Sequence, residues 1–469
     1  MQIHYEFNER DLGHGASESV LHPAVAVALV VTIVLMLWRP RKYVAVPLLL
    51  CTLLVPRGEQ LLLVGAHLYV PLILILTGFI RVMRNGFRIA GGFNDVDKIF
   101  IVWASYRVFA ATVTNWPGGT MGNFAFLLQA LCGYFLFRYL IQSEEDVVRI
   151  AKTLAVLAVV LGVGMLYESC VHVNLFATYL APGQAPPEFR DGIVRARAAF
   201  GHPILAGCFG ATLIPLFVWL WKMKGKVLAV TGIVGSTLMV LTANSSTPVL
   251  TYVAGLLGLF LWPVRRSMKA VRWGMVIAIF ALAIVMNAPV WFVIARINVT
   301  GGSGGYDRAL LIDTCARHFR DWWLIGTNQN GGWGYDMWDT SNQFVAEAET
   351  GGILTLICFI AIIAKCFGHL GTMRKRVKAQ QQWLFWCLGC VMLAHIFAYF
   401  GVAYWDQTQI WWFAFLAMIC AVTVPPNLTR LRMPVPAAST PVKLPNLKQP
   451  AVAPPVAVMF PELGKTVRS

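Results

Sequence analysis

The sequence predicts an all-α, polytopic membrane fold of about 12–13 transmembrane helices. Three observations predict it. First, 58% of the 469 residues are hydrophobic and only 13% are charged. Soluble domains average about 45–50% apolar and about 25% charged, so the surplus needs the bilayer as its solvent. Second, the apolar residues form long unbroken runs, without the polar–apolar alternation of barrel strands. Third, Lys and Arg separate by side when the runs are made to alternate across a membrane.

The runs, in order, are 22–38, 43–56, 61–80, 98–114, 121–141 and 146–167, then 199–221, 226–243, 246–263 and 271–295, then 351–368, 383–401 and 408–425. The first follows an acidic start (Glu6, Glu9, Asp11, Glu18) and precedes Arg39, Arg41 and Lys42. With no basic start and no small-residue cleavage site, it reads as a retained anchor, not a signal peptide. The second run is the shortest. With the N-terminus outside, one side receives Arg39/Arg41/Lys42, Arg81/Arg84/Arg88, Arg149/Lys152, Lys222/Lys224/Lys226, Arg265/Arg266/Lys269/Arg272 and Arg374/Lys375/Arg376/Lys378. That side is predicted to be the cytoplasm. The net charge of +16 is thus split into short loop clusters, and a contiguous nucleic-acid-binding face is not expected. Residues 1–425 form one transmembrane domain. Residues 426–469, with ten prolines counted from Pro425, read as an extended, disordered cytoplasmic tail.

Two outer loops are long, 168–198 and 296–350, and loops of that length usually carry function or are disordered. Both contain Arg but no Lys: Arg190, Arg195 and Arg197 in the first, and Arg296, Arg308, Arg317 and Arg320 in the second. A guanidinium presents a planar fork that grips phosphate or carboxylate at two points. The first loop ends in "RARAAFGHP" (195–203), where Pro203 suits the first turn of a helix whose positive end faces outward. The alternative for these arginines is snorkelling to lipid phosphates. In the second loop, Leu310, Leu311, Cys315 and Phe319 recur at helical spacing, predicting an amphipathic helix along the outer interface over 306–323. A further helix is expected from Ser341 as N-cap, leading into the run at 351.

Ten cysteines lie mostly inside apolar runs. Cys387 and Cys390 read as small apolar residues on one helix face rather than a redox or metal pair. Cys170 and Cys315 share the outer side, where a disulfide is conceivable. No metal site is predicted, since His202 and His318 lack ligand spacing. A capping or hydrogen-bonded role suits each better.

"RARAAFGHP" together with "YDRALLIDTCARHFRDWWLIG" and "SNQFVAEAETGG" resembles the O-antigen ligase and polysaccharide polymerase superfamily of bacterial membrane glycosyltransferases. Arg197, Phe200, His202 and Pro203 match one block; Arg308 and "HFRDWWLIG" match a second, with Phe319 where Pro is usual. Asn342, Glu349 and Gly351 match a third. The motifs span about 195–365. The resemblance implies a GT-C-like fold in the bacterial inner membrane with periplasmic loops. It also implies an undecaprenyl-diphosphate-linked oligosaccharide as donor, no cofactor or metal, and possible polysaccharide-assembly proteins as partners. Arg197 and Arg308, supported by Arg195, would hold the diphosphate, and fixed guanidiniums can neutralise it without a metal. Ser341 stands where the ligases carry a His, and a hydroxyl cannot act as general base near neutral pH. Asp339 or Glu347 would then take the acceptor's proton, with Asn342 orienting it. Trp322, Trp323, Trp333 and Trp338 would stack on sugars or form an interfacial belt. Two other readings are a lipid-linked oligosaccharide flippase or transporter and a non-catalytic assembly subunit. Arg107 and Arg138 within runs suit the former, and Ser341 suits the latter.

Overall fold

A computed structural model describes residues 19–424 apart from 64–65, 182–186, 224, 297–303, 335–336, 338 and 380. The acidic start, the proline-rich tail and Trp338 lie outside the described residues.

Each apolar run contains a helix. The first six are α1 (Pro23–Trp38), α2 (Arg41–Leu54), α3 (Val70–Asn85), α4 (Asp95–Thr114), α5 (Thr120–Leu140) and α6 (Glu144–Val171). A short α7 (Leu175–Leu180) precedes α8 (Pro203–Trp221), α9 (Lys226–Thr242), α10 (Ser246–Phe260) and α11 (Met268–Val285). In the second long loop lie α12 (Gly305–Arg317) and α13 (Phe319–Trp322), followed by α14 (Gln343–Arg376), α15 (Gln382–Tyr399) and α16 (Asp406–Val422). Among the described residues, six helical segments are long and apolar enough to cross a bilayer: α5, α6, α8, α14, α15 and Trp262–Val285, which includes α11. This is the pattern of a multi-pass membrane protein.

Small residues set the closest helix contacts, as in membrane bundles generally. At the α6–α9 crossing, a Cβ on Gly235 would lie 2.4 Å from the Ala158 carbonyl oxygen, and one on Gly162 would lie 2.4 Å from that of Gly235. α16 runs through the middle, with Gln407 to Ala421 buried without a break. Near one end of the bundle, Asp97 of α4 and Arg138 of α5 form a fully buried ion pair at 2.8 Å. Tyr134 donates to the same Asp97 oxygen at 2.6 Å, and Arg138 also donates to the carbonyls of Ala90 and Gly92.

Four expectations are corrected. The third run opens as a β-hairpin, β1 (Gln60–Leu63) against β2 (Ala66–Tyr69), and only then becomes helical. Hydropathy alone does not separate a short apolar strand from a helix. The tenth run breaks after Val285, and Val290–Arg296 forms a 3₁₀ turn. Asn342, not Ser341, caps α14: its Oδ1 accepts the N–H groups of Phe344 and Val345. The helix of the second long loop turns its apolar face inward. Leu311, Cys315 and Trp322 pack with Met337, Val345 and Ala348 as a second small core against the start of α14.

Candidate functional site

The segment before α8 is built around one carboxylate. Glu168, near the end of α6, is buried, and its Oε2 accepts the backbone N–H groups of Arg197 (3.0 Å) and Ala198 (2.8 Å). Its Oε1 accepts from Asn174, whose amide also donates to the Ala198 carbonyl. Ala196 donates to the Thr242 carbonyl of α9, and Gln407 of α16 donates to the Ala199 carbonyl. So held, Ala198 adopts a left-handed φ of 49°, a conformation that persists only where the surroundings over-determine it. The chain then enters α8 at His202, whose Nδ1 accepts the Ile204 N–H. Pro203 occupies the first turn as expected.

Several arginines act on this helix start. A second hairpin, β3 (Glu188–Arg190) against β4 (Ile193–Arg195), carries Arg190 and Arg195. Arg195 is 2% exposed and pairs with Glu188 across the hairpin. Its Nε and Nη2 remain buried without an acceptor, as does Nε of Arg308 on the first turn of α12. Burial, joined by the charges of Arg195, Arg197, Arg190 and Arg308, pushes the His202 imidazole down to about 3. His202 is therefore neutral at physiological pH, consistent with its acceptor role at the cap. The β3–β4 hairpin and the segment after it bring Arg190, Arg195 and Arg197 into the stretch that leads to the positive end of α8, and their charges and that of Arg308 act on His202. Burial also lowers Arg195 and Arg308 from the ordinary arginine value, with Asp339 opposing the shift at Arg308. Four cations outnumber the three carboxylates coupled to them, Glu168, Glu188 and Asp339, and the buried N–H donors of Arg195 and Arg308 lack acceptors, so an anionic group would fit.

Of the sequence-predicted residues, Arg195, Arg197 and Arg308 act electrostatically on His202, and Asp339 acts on Arg308. Ser341 donates its backbone N–H to the Asp339 carbonyl at 2.9 Å, and buried Asn342 holds the helix start. Glu347 points elsewhere. It is fully buried against α4, where Trp103 Nε1 donates to Oε2 at 2.8 Å and Arg107 lies 3.5 Å away, while Gln343 donates to Oε1. Beside it is a cavity of about 20 Å³, bordered by Arg107, Tyr404 and Gln409 and large enough for one water. Glu349 instead accepts from Asn330 and Thr340, tying down the preceding loop. Trp322 is buried and donates to the Cys315 carbonyl, so it offers no face to a sugar. Trp333 stacks on His318 at 5.0 Å, and Trp323 is exposed. Cys170 is exposed and Cys315 buried, both free thiols. Among the described residues, no group of three His, Cys, Asp or Glu could hold a metal ion.

Two contributors escape sequence reasoning. Glu168 reads as an ordinary residue at the end of a span. Asp406 reads as a first-turn acid of α16, yet it sits at a φ of 60° with Oδ2 buried. A Cβ on Gly201, next to His202, would lie 3.3 Å from that oxygen and 2.5 Å from the Trp405 ring. Arg57 covers the same Trp405 ring at 4.5 Å. A buried carboxylate held by the backbone of Gly201 and Gln407 and the charge of Arg57 is the signal, and it exists only in three dimensions.

The kink at Gly351–Gly352 lets the second loop close on α14. Gly352 has φ 69° and ψ −166°, a region essentially restricted to glycine. A Cβ there would lie 2.5 Å from the Leu324 carbonyl oxygen. Gly352→Ala is expected to destabilise by at least about 1–3 kcal/mol, read as a lowered thermal midpoint in detergent; an unchanged midpoint would show the kink to be unconstrained.

No family model and no curated protein matches this chain.

Proposed function

We propose that the chain is a glycosyltransferase of the bacterial inner membrane. It transfers or polymerises glycan from an undecaprenyl-diphosphate-linked donor onto a glycan or lipid acceptor at the periplasmic face. The observation that carries this reading is that the charges of Arg195, Arg197, Arg190 and Arg308 act together at the start of α8, where buried donors of Arg195 and Arg308 lack acceptors. A diphosphate supplies the missing oxygens, and pre-positioned guanidiniums stabilise it as it departs.

In the proposed step an acceptor hydroxyl oxygen attacks the anomeric carbon. The bond from that carbon to the diphosphate oxygen breaks, and the lipid diphosphate leaves with the electron pair. The hydroxyl proton passes to a carboxylate. Asp339, beside Arg308, is favoured over Glu347, whose oxygens are engaged with Trp103, Gln343 and Arg107. Asp406, adjoining Gly201, is a second candidate.

The test is to supply purified protein with a lipid-diphosphate-linked oligosaccharide in the absence of divalent ions. Longer lipid-linked glycans indicate polymerase, and glycan moved to another lipid indicates ligase. Absence of any transfer, with or without divalent ions, rejects both. A flippase or transporter is the second reading, supported by the Arg107–Glu347 pair inside the bundle. It predicts translocation of the donor with the glycan unchanged. A non-catalytic assembly subunit would do neither.

A further inference from the structure

The opposite end of the bundle carries a cluster that the proposed transfer does not use. Three tryptophans meet where α10, α14 and α15 end or begin: Trp262 lies 4.8 Å from Trp383 and 5.7 Å from Trp386, both edge-on. Each carries a cation on its face. Lys222 lies 3.9 Å from the Trp383 centroid, Arg265 lies 4.1 Å from that of Trp262, and Arg374 lies 5.1 Å from that of Trp386. Arg374 donates to the Arg265 carbonyl, and Arg265 donates to the Trp262 carbonyl. Trp386 Nε1 donates to the Gly258 carbonyl, which fixes the aromatic platform to α10.

Two features point to a missing partner. Trp383 Nε1 and Arg265 Nε are buried N–H donors with no acceptor. Buried donors are nearly always satisfied, so each orphan calls for an explanation. The charge is also uncompensated. The chain has no Asp or Glu between Asp191 and Asp307, nor between Glu349 and Asp406. Those two stretches supply Lys222, Arg265 and Arg374, together with Arg266, Lys269, Arg272, Lys375 and Arg376 beside them. Among the described ion pairs, none involves the three stacked cations. Generic positive charge on one side of a membrane protein would not require cations seated on a shared aromatic platform around unfilled donors.

We infer that this cluster is a binding site for the phosphate of an anionic phospholipid headgroup. The headgroup oxygens would accept from Arg265 Nε and Trp383 Nε1 while Lys222 and Arg374 balance the charge. The site is independent of the proposed transferase activity.

The test uses the full-length protein in nanodiscs of phosphatidylcholine doped with brominated phosphatidylglycerol. Tryptophan quenching is compared with that by brominated phosphatidylcholine. Wild type is expected to quench at lower mole fractions of the anionic lipid. Arg265→Gln and Arg374→Gln should each raise the required fraction roughly fivefold, the fold-change corresponding to about 1 kcal/mol per charge near an anionic surface. Lys222→Gln, at an exposed head group, is the variant to read should either arginine variant fail to insert. Equal quenching by both lipids overturns the inference, as does an anionic preference that survives Lys222→Gln and both arginine variants. Displacement by millimolar glycerol 3-phosphate would also overturn it, assigning the site to soluble phosphate esters.

Discussion

Arg308→Ala is expected to abolish glycan transfer while leaving membrane insertion and thermal stability near wild type. Arg308 sits on the first turn of α12 and shares in forming no ion pair among those described. Its Nε is buried without an acceptor, so removing the side chain breaks no described hydrogen bond or ion pair, and the lost attraction to Asp339 is offset by relief of repulsion from Arg190 and Arg195. The fold thus has little to lose, and the proposed leaving diphosphate has much. Removing one pre-positioned donor aimed at developing charge typically costs about 10²–10³ in rate. Arg308→Lys should recover only part of this, since an ammonium supplies charge but not the two-point fork. The measurement is product formation from a lipid-diphosphate-linked oligosaccharide, with kcat and KM separated. Wild-type transfer by the alanine variant would remove Arg308 from the mechanism and, with it, the main support for the proposed function.

The second large effect is on stability. Asp97→Ala strands Arg138, fully buried, with only the Ala90 and Gly92 carbonyls to bond. Breaking a buried pair from one side typically costs about 3–5 kcal/mol, because the surviving charge stays in a poor solvent. Tyr134 loses its carboxylate acceptor as well and keeps only the Cys420 sulfur. The loss should appear as a large fall in the denaturant midpoint in detergent. The double variant Asp97→Ala/Arg138→Met should recover much of it, since no charge is then stranded. A double variant as unstable as the single would mean that the pair acts through packing alone.

Much of the helical architecture was legible in the sequence because a bilayer demands length and continuity of apolar residues, and both are one-dimensional properties. Where the demand was met by something other than a helix, the reading failed. Residues 60–69 are apolar enough to pass, yet they pair as a hairpin with Leu62 opposite His67. The capping residue of α14 was misplaced by one position, because Ser341 and Asn342 are both competent caps and only the backbone decides between them. The arginines were legible as individuals, through loops that hold Arg without Lys. Their joint action was not, since Arg197 and Arg308 are far apart in the chain and nothing in their spacing specifies it. Glu168 and Asp406 stayed hidden for a related reason. Their importance lies in which backbone groups and neighbours surround them.

The position of α16 has a consequence for biosynthesis. A helix walled in along nearly its whole length is the filling of a ring that the earlier spans must form around it, yet it emerges from the ribosome after all of them. Until it is threaded home, α2, α5 and α8 cannot make their final contacts, and Gln129, whose amide donates to Gln409, lacks that partner. A chain stalled short of residue 406 would therefore be a hollow intermediate, recognisable to the proteases that clear unfinished membrane proteins.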